Sequence, residues 1–146
     1  MIRPLNDAVA VAPQIRPEDI PAIKAAGYVA IINNRPDEEE PGQPSGASIR
    51  AAAQAAGLGY AAVPVGHAGF GHAQLDAMAE ALRGADGPVL AYCRSGTRSC
   101  HLWALAAAKA GRDPGLLVAQ AEAVGYDLRP IGPMLDALAA EARSST

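Results

Sequence analysis

Cys93 stands in the stretch Val89-Leu90-Ala91-Tyr92-Cys93-Arg94-Ser95-Gly96-Thr97-Arg98-Ser99, where an apolar run breaks into a small polar loop. A cysteine that ends a buried strand and opens a loop into a helix sits where unpaired backbone N–H groups converge. The guanidinium groups of Arg94 and Arg98 add full positive charges. Such surroundings stabilise a thiolate, the nucleophilic form of cysteine. The same donors, along Arg94, Ser95, Gly96, Thr97 and Ser99, would cradle an anionic substrate under attack. Gly96 lets the backbone take a positive φ and approach a ligand closely. Ser99 is placed to cap the helix or to hydrogen-bond the sulfur. Free cysteines are usually buried and structural, but this loop between a strand and a helix favours catalysis by Cys93 with Arg98.

Two cysteine chemistries use this geometry. Protein tyrosine and dual-specificity phosphatases carry a loop of cysteine, five residues, then arginine. Rhodanese-type sulfurtransferases carry a six-residue loop, often Cys-Arg-x-Gly-x-Arg followed by Ser or Thr. Here Arg98 is the sixth residue counting Cys93 as the first, and Ser99 is the seventh, so the loop resembles that of a rhodanese. A longer ring spreads its amides around a phosphoryl group, whereas a shorter one suits a sulfur atom carried as a persulfide. Dual-specificity phosphatases also place an aspartate shortly after a strand resembling Val63-Pro64-Val65, to protonate the leaving oxygen. The corresponding Gly66-His67-Ala68-Gly69 has no carboxylate. His67 could donate a proton; the alternative is a solvated surface histidine. The expected reaction is sulfur transfer from an anionic donor (thiosulfate or a persulfide) to a thiol acceptor through a Cys93 persulfide. The alternative is a phosphatase acting on a phosphate substrate through a Cys93 phosphocysteine.

The flanking elements must hold this loop in place. Residues 9–12, 28–32, 60–64 and 89–92 read as short apolar strands without polar alternation, the pattern of strands covered on both faces. Helices are expected from 17–19 to Gly27, over 48–56, over 72–83, from 94–99 to Ala110, from Asp113-Pro114, and over about 133–143. Strands alternating with helices imply right-handed crossovers and a mostly parallel sheet. Ligands in such folds bind at the C-terminal ends of strands, which points to the loops 33–44, 65–71 and 93–99.

With 146 residues, the chain is the size of one domain, expected over 1–146, with enough surface to bury to fold without disulfides or metal. Twelve Lys and Arg against 15 Asp and Glu give a net charge of −3, which argues against a nucleic-acid partner. The longest strongly apolar run, residues 102–108, is too short to cross a bilayer. Residues 1–7 have no apolar secretory core, and two cysteines suit a reducing cytoplasm, the expected location.

Several further stretches complete the pattern: 28–37 with Ile-Asn-Asn-Arg-Pro, 39–44, Gly57-Leu58-Gly59-Tyr60, Val63-Pro64-Val65 and 87–99. Together they resemble the β-lactamase-hydrolase-like, phosphatase-like domain family, also described as a sulfurtransferase family, over residues 3–128. The resemblance implies an α/β fold like that of dual-specificity phosphatases: a short, mostly parallel central sheet of about four strands flanked by helices. Some relatives are fused to a persulfide dioxygenase domain, which links the cysteine to sulfide chemistry. Others carry the full phosphatase loop, so the loop of this chain decides, and it favours sulfur.

Other residues carry weaker signals. Cys100 reads as a core residue of the following helix, with a resolving thiol as the alternative. The spacing of Trp103 with Leu102, Leu105 and Ala106 also reads as core. His67, His72 and His101 match no zinc signature, so neither a metal nor any other cofactor is expected. The acidic run 37–40 reads as a solvated loop. Arg35 and Asn34, at the end of a strand, either border the anion pocket or anchor their loop.

Overall fold

The computed structural model describes residues 1–144. Its strands are β1 (Arg3–Pro4), β2 (Val9–Ala12), β3 (Ala30–Asn33), β4 (Gly59–Ala62) and β5 (Val89–Tyr92). Between and after them run α1 (Ile20–Ala25), α2 (Gly46–Ala55), α3 (His72–Arg83), α4 (Thr97–Lys109), α5 (Pro114–Glu122) and α6 (Gly132–Ser144). The sheet order is β1-β2-β5-β3-β4. β2, β5, β3 and β4 are parallel, as the strand–helix alternation requires. β1 adds a fifth, antiparallel strand at one edge, beyond the four that apolar runs reveal. Two residues paired only with Val11 and Ala10 are too few to leave a hydrophobic signature.

Alternation sorts the strand residues between two cores. Val9, Val11, Ile32, Val89 and Ala91 face Leu75 and Met78 of α3, Leu102 and Leu105 of α4, Leu117 of α5 and Leu135 of α6. Ala10, Ala12, Ile31, Leu90 and Tyr92 face Ile20 and Ile23 of α1 and Ile49 and Ala53 of α2. Both sheet faces are therefore covered, and the strands need no polar side. Asp113 caps α5 by accepting from the Leu116 amide at 3.2 Å, which matches the Asp-Pro start signal. None of the helices in the described residues is long and apolar enough to cross a membrane.

The register positions the site. Ala12 pairs with Tyr92, Tyr92 with Asn33, and Asn33 with Ala62, so four strands end on one level. β3 begins two residues later than its apolar run, because Ala30 is the first residue with partners on both sides, Gly59 and Val89. The loops at 13–16, 34–45, 63–71 and 93–96 consequently leave the sheet side by side. Backbone bonds tie them together: Cys93 N donates to Ala12 O at 3.3 Å, Gln14 N to Arg94 O at 3.3 Å, Asn34 N to Tyr92 O at 2.8 Å and Val65 N to Asn34 O at 3.0 Å.

Leu90 lies on the central strand with no exposed surface. Leu90→Ala should destabilise the fold by about 2–5 kcal/mol, read as a lower midpoint in urea denaturation, with little change in its slope.

Candidate active site

Cys93 follows the last residue of β5 and is wholly buried. The chain then turns through Gly96, at φ 92°, into the first turn of α4. Only glycine adopts that backbone without strain, and a Cβ there would lie 2.1 Å from the Tyr126 hydroxyl. The Gly96 amide donates to the Cys93 sulfur at 3.1 Å. A backbone dipole therefore points at the sulfur.

The predicted loop residues divide into two sets. The side chains of Arg94, Ser95 and Thr97 lie outward, with Ser95 Oγ and Thr97 Oγ1 3.0 Å apart. Arg98 turns inward and is three-quarters covered, donating to the Val65 carbonyl at 2.7 Å. Its pKa is raised chiefly by hydrogen bonding to Glu39, with further contributions from the charge of Cys93 and a hydrogen bond to it. The guanidinium of Arg98 is thus held between Glu39 and the Val65 carbonyl. The Ser99 hydroxyl is buried and has no hydrogen-bond partner among the described residues.

The acidic run is an exposed loop, as expected, but two of its carboxylates are paired. Glu38, at φ 64°, reverses the chain, and Gln43 holds the turn by accepting from the Glu39 and Glu40 amides at 3.1 and 3.3 Å. Both glutamates then fold back onto arginines. Arg98 grips Glu39 through two bonds of 2.7 and 2.8 Å. Buried Arg35 bonds Glu39 at 2.8 Å, Glu40 at 2.6 Å and the Gln14 side chain at 3.0 Å. Arg94 completes the cluster with Glu40 at 3.2 Å. The Arg98 hydrogen bond, aided by Arg35, holds the Glu39 carboxyl down at about 2 despite partial desolvation. Of the two readings that the sequence left open for Arg35, these bonds show the loop anchor.

The remaining candidates scatter. His67 is exposed on the turn closed by Gly69 N and Gly66 O. His72 lies 2.8 Å from Lys109, and His101 bonds the Asp127 carbonyl at 3.0 Å. Cys100 is buried in α4, and burial, with the charge of Cys93 adding to it, pushes its thiol up to about 12, which matches a core residue. Trp103 is core as well. Sequence reasoning missed Gln14, Glu39, Glu40 and Tyr126. The one local signal was the four-residue spacing of Arg35 and Glu39.

Residues 1–110 match the model of the family described as beta-lactamase hydrolase-like protein, phosphatase-like domain. The beta-lactamase hydrolase-like protein of Agrobacterium fabrum is 40% identical over 108 residues, 74% of this chain and 25% of that protein. The chain thus spans about a quarter of the length of the curated relatives it matches. A crystal structure of a proposed phosphatase from Neisseria meningitidis superposes with a TM-score of 0.82 at 33% identity, covering 94% of this chain and 97% of that one. TpbA of P. aeruginosa, crystallised with pTyr, shares the fold, with a TM-score of 0.62 at 14% identity over 97% and 90% of the two chains.

These matches overturn the sulfurtransferase expectation, and with it the persulfide and the thiol acceptor. Loop length failed as a discriminator for a physical reason. It assumed that the loop can be judged by itself, whereas its arginines, Arg94 and Arg98, are paired with Glu40 and Glu39 from a separate loop. The fold expected from the resemblance stands: a mostly parallel α/β sheet flanked by helices, like that of the phosphatases. With its first 110 residues matched end to end, the chain belongs to the phosphatase-like domain family of beta-lactamase hydrolase-like proteins.

Proposed function

We propose that this chain is a cysteine-dependent phosphatase for aryl phosphate monoesters. The observation that carries the reading is the Gly96 amide held 3.1 Å from the sulfur of Cys93. A nucleophile served by a fixed donor on a strand-to-helix loop suits attack on an anion-bearing centre. The Cys93 thiolate attacks phosphorus, an S–P bond forms, and the P–O bond to the aryl group breaks. The released electron pair stays on the phenolate oxygen, which takes a proton from solvent. Water then attacks phosphorus, the S–P bond breaks, inorganic phosphate leaves and the thiolate returns. Arg98 and the loop amides, with Ser95, Gly96, Thr97 and Ser99 contributing backbone, would balance charge on the phosphoryl oxygens. Arg94, being exposed, steers the anion in.

An aryl leaving group follows from the carboxylates. Glu39, held at about 2, is ionised at neutral pH and has no proton to give. A positioned general acid is worth roughly 100- to 10,000-fold, so esters with poor leaving groups would turn over slowly. The phosphotyrosine bound by TpbA is of the favoured class. A reduced Cys93 is required, which suits a reducing compartment such as the cytoplasm.

Cys93→Ser should lower phosphate release from p-nitrophenyl phosphate by roughly three orders of magnitude. Vanadate should inhibit the wild-type protein. Phosphate release at the wild-type rate from Cys93→Ser would end the proposal. A second expectation concerns the glutamate clamp, which the substrate must displace from Arg98. Glu39→Gln replaces a charged partner by a neutral one, so KM for the same substrate should fall roughly three- to ten-fold. The variant should also melt a few degrees lower than wild type at neutral pH, for an ion pair worth about 1 kcal/mol or less. Because the folded state depresses the Glu39 pKa, that stabilisation is present above its unfolded value and is lost as pH falls towards about 2. Thermal melts of the two proteins should therefore converge across that window.

A further inference from the structure

Tyr126 lies in the segment after α5, outside the residues that match the family. Its hydroxyl donates to the Ser95 carbonyl oxygen at 3.0 Å. That carbonyl and the Gly96 N–H belong to the same peptide unit, and no peptide bond among the described residues is cis. In a trans peptide the two groups point in opposite directions. Pulling the Ser95 oxygen towards Tyr126 therefore aims the Gly96 hydrogen at the Cys93 sulfur, 3.1 Å away on the other side. A donor on the carbonyl also polarises the amide and strengthens its own donation. The contact is tight: any Cβ on Gly96 would meet the tyrosine oxygen at 2.1 Å and the Ala12 backbone at 3.4 Å.

Tyr126 is itself held in place. The guanidinium of Arg3, on edge strand β1, lies 5.2 Å from the centre of its ring. Arg3 also donates to the Val124 carbonyl at 2.9 Å, and the Tyr126 amide donates to Ala121 O at 3.0 Å. Burial pushes the phenol pKa up, so the hydroxyl keeps its proton at working pH.

We propose that Tyr126, braced by Arg3, is a positioning residue that orients the Ser95–Gly96 peptide and thereby aims its N–H at the nucleophilic sulfur of Cys93. This rests on Cys93 being the nucleophile of the proposed phosphatase, and its test separates the two claims.

The test is Tyr126→Phe, which removes one oxygen and keeps the ring. The first readout is the rate of Cys93 alkylation by iodoacetamide across pH, followed by peptide mass, with Cys93→Ser as the blank. The second is kcat/KM for p-nitrophenyl phosphate across pH. With the amide no longer held, half-maximal alkylation should move to higher pH. The acid limb of kcat/KM should shift with it, the value at neutral pH falling roughly three- to ten-fold, while KM changes little. Alkylation needs no turnover, so a shift there supports the positioning role even if wild type releases no phosphate, a result that would sink only the phosphatase reading. An alkylation profile identical to wild type overturns the positioning role. Should Tyr126→Phe not fold, Arg3→Met decides: a shift in the same direction supports the proposal, and an unchanged profile overturns it.

Discussion

Parallel pairing around β5 is the constraint from which the rest of the molecule follows. Because Ala12, Tyr92, Asn33 and Ala62 share one row of the ladder, the chain leaves four strands at a common level. Each departing loop is short of backbone partners, and each finds some in its neighbours, as when Cys93 N reaches Ala12 O and Val65 N reaches Asn34 O. The sulfur is buried by this convergence rather than by a lid. Both hydrophobic cores serve the same end, since they clamp the sheet from its two faces and leave its C-terminal edge as the place where polar chemistry collects.

Charge at that edge is arranged in two tiers. The first is fixed: a backbone dipole from Gly96 aimed at the sulfur. The second is made of ion pairs: Glu39 and Glu40 neutralise Arg35, Arg94 and Arg98. Arg35 is almost fully buried and would be costly to leave unpaired. Its bonds to two carboxylates and to Gln14 remove that cost and anchor the acidic loop over the site.

How much of this could be read from the residues depended on how local the signal was. Val9–Ala12, His72–Arg83 and Val89–Tyr92 form where their apolar runs and flanking breakers place them, because burial on both faces writes itself into consecutive residues. The cysteine loop was legible for the same reason, since strand, glycine and helix start lie within one short stretch. β1 was not, being two residues held by partners distant in sequence. Glu39 and Glu40 carried no mark of their pairing with Arg98 and Arg94, which stand 59 and 54 positions away, so that only the fold brings the two loops together. Tyr126, 31 positions from Ser95, carried no local mark of its contact. Counting loop residues misled most. It treated the loop as self-contained, although its arginines are paired with carboxylates of another segment.

Arginines that rest against their own carboxylates are never bare. Chloride or another small monoanion approaching them would surrender a bidentate contact such as that between Glu39 and Arg98 and gain a single point charge in return. A dianion with three oxygens can engage a guanidinium fork and the loop amides together, and so can displace the internal ligand. In the proposed phosphatase the acidic loop would thereby act as a filter on the valence and shape of anions that approach Arg98.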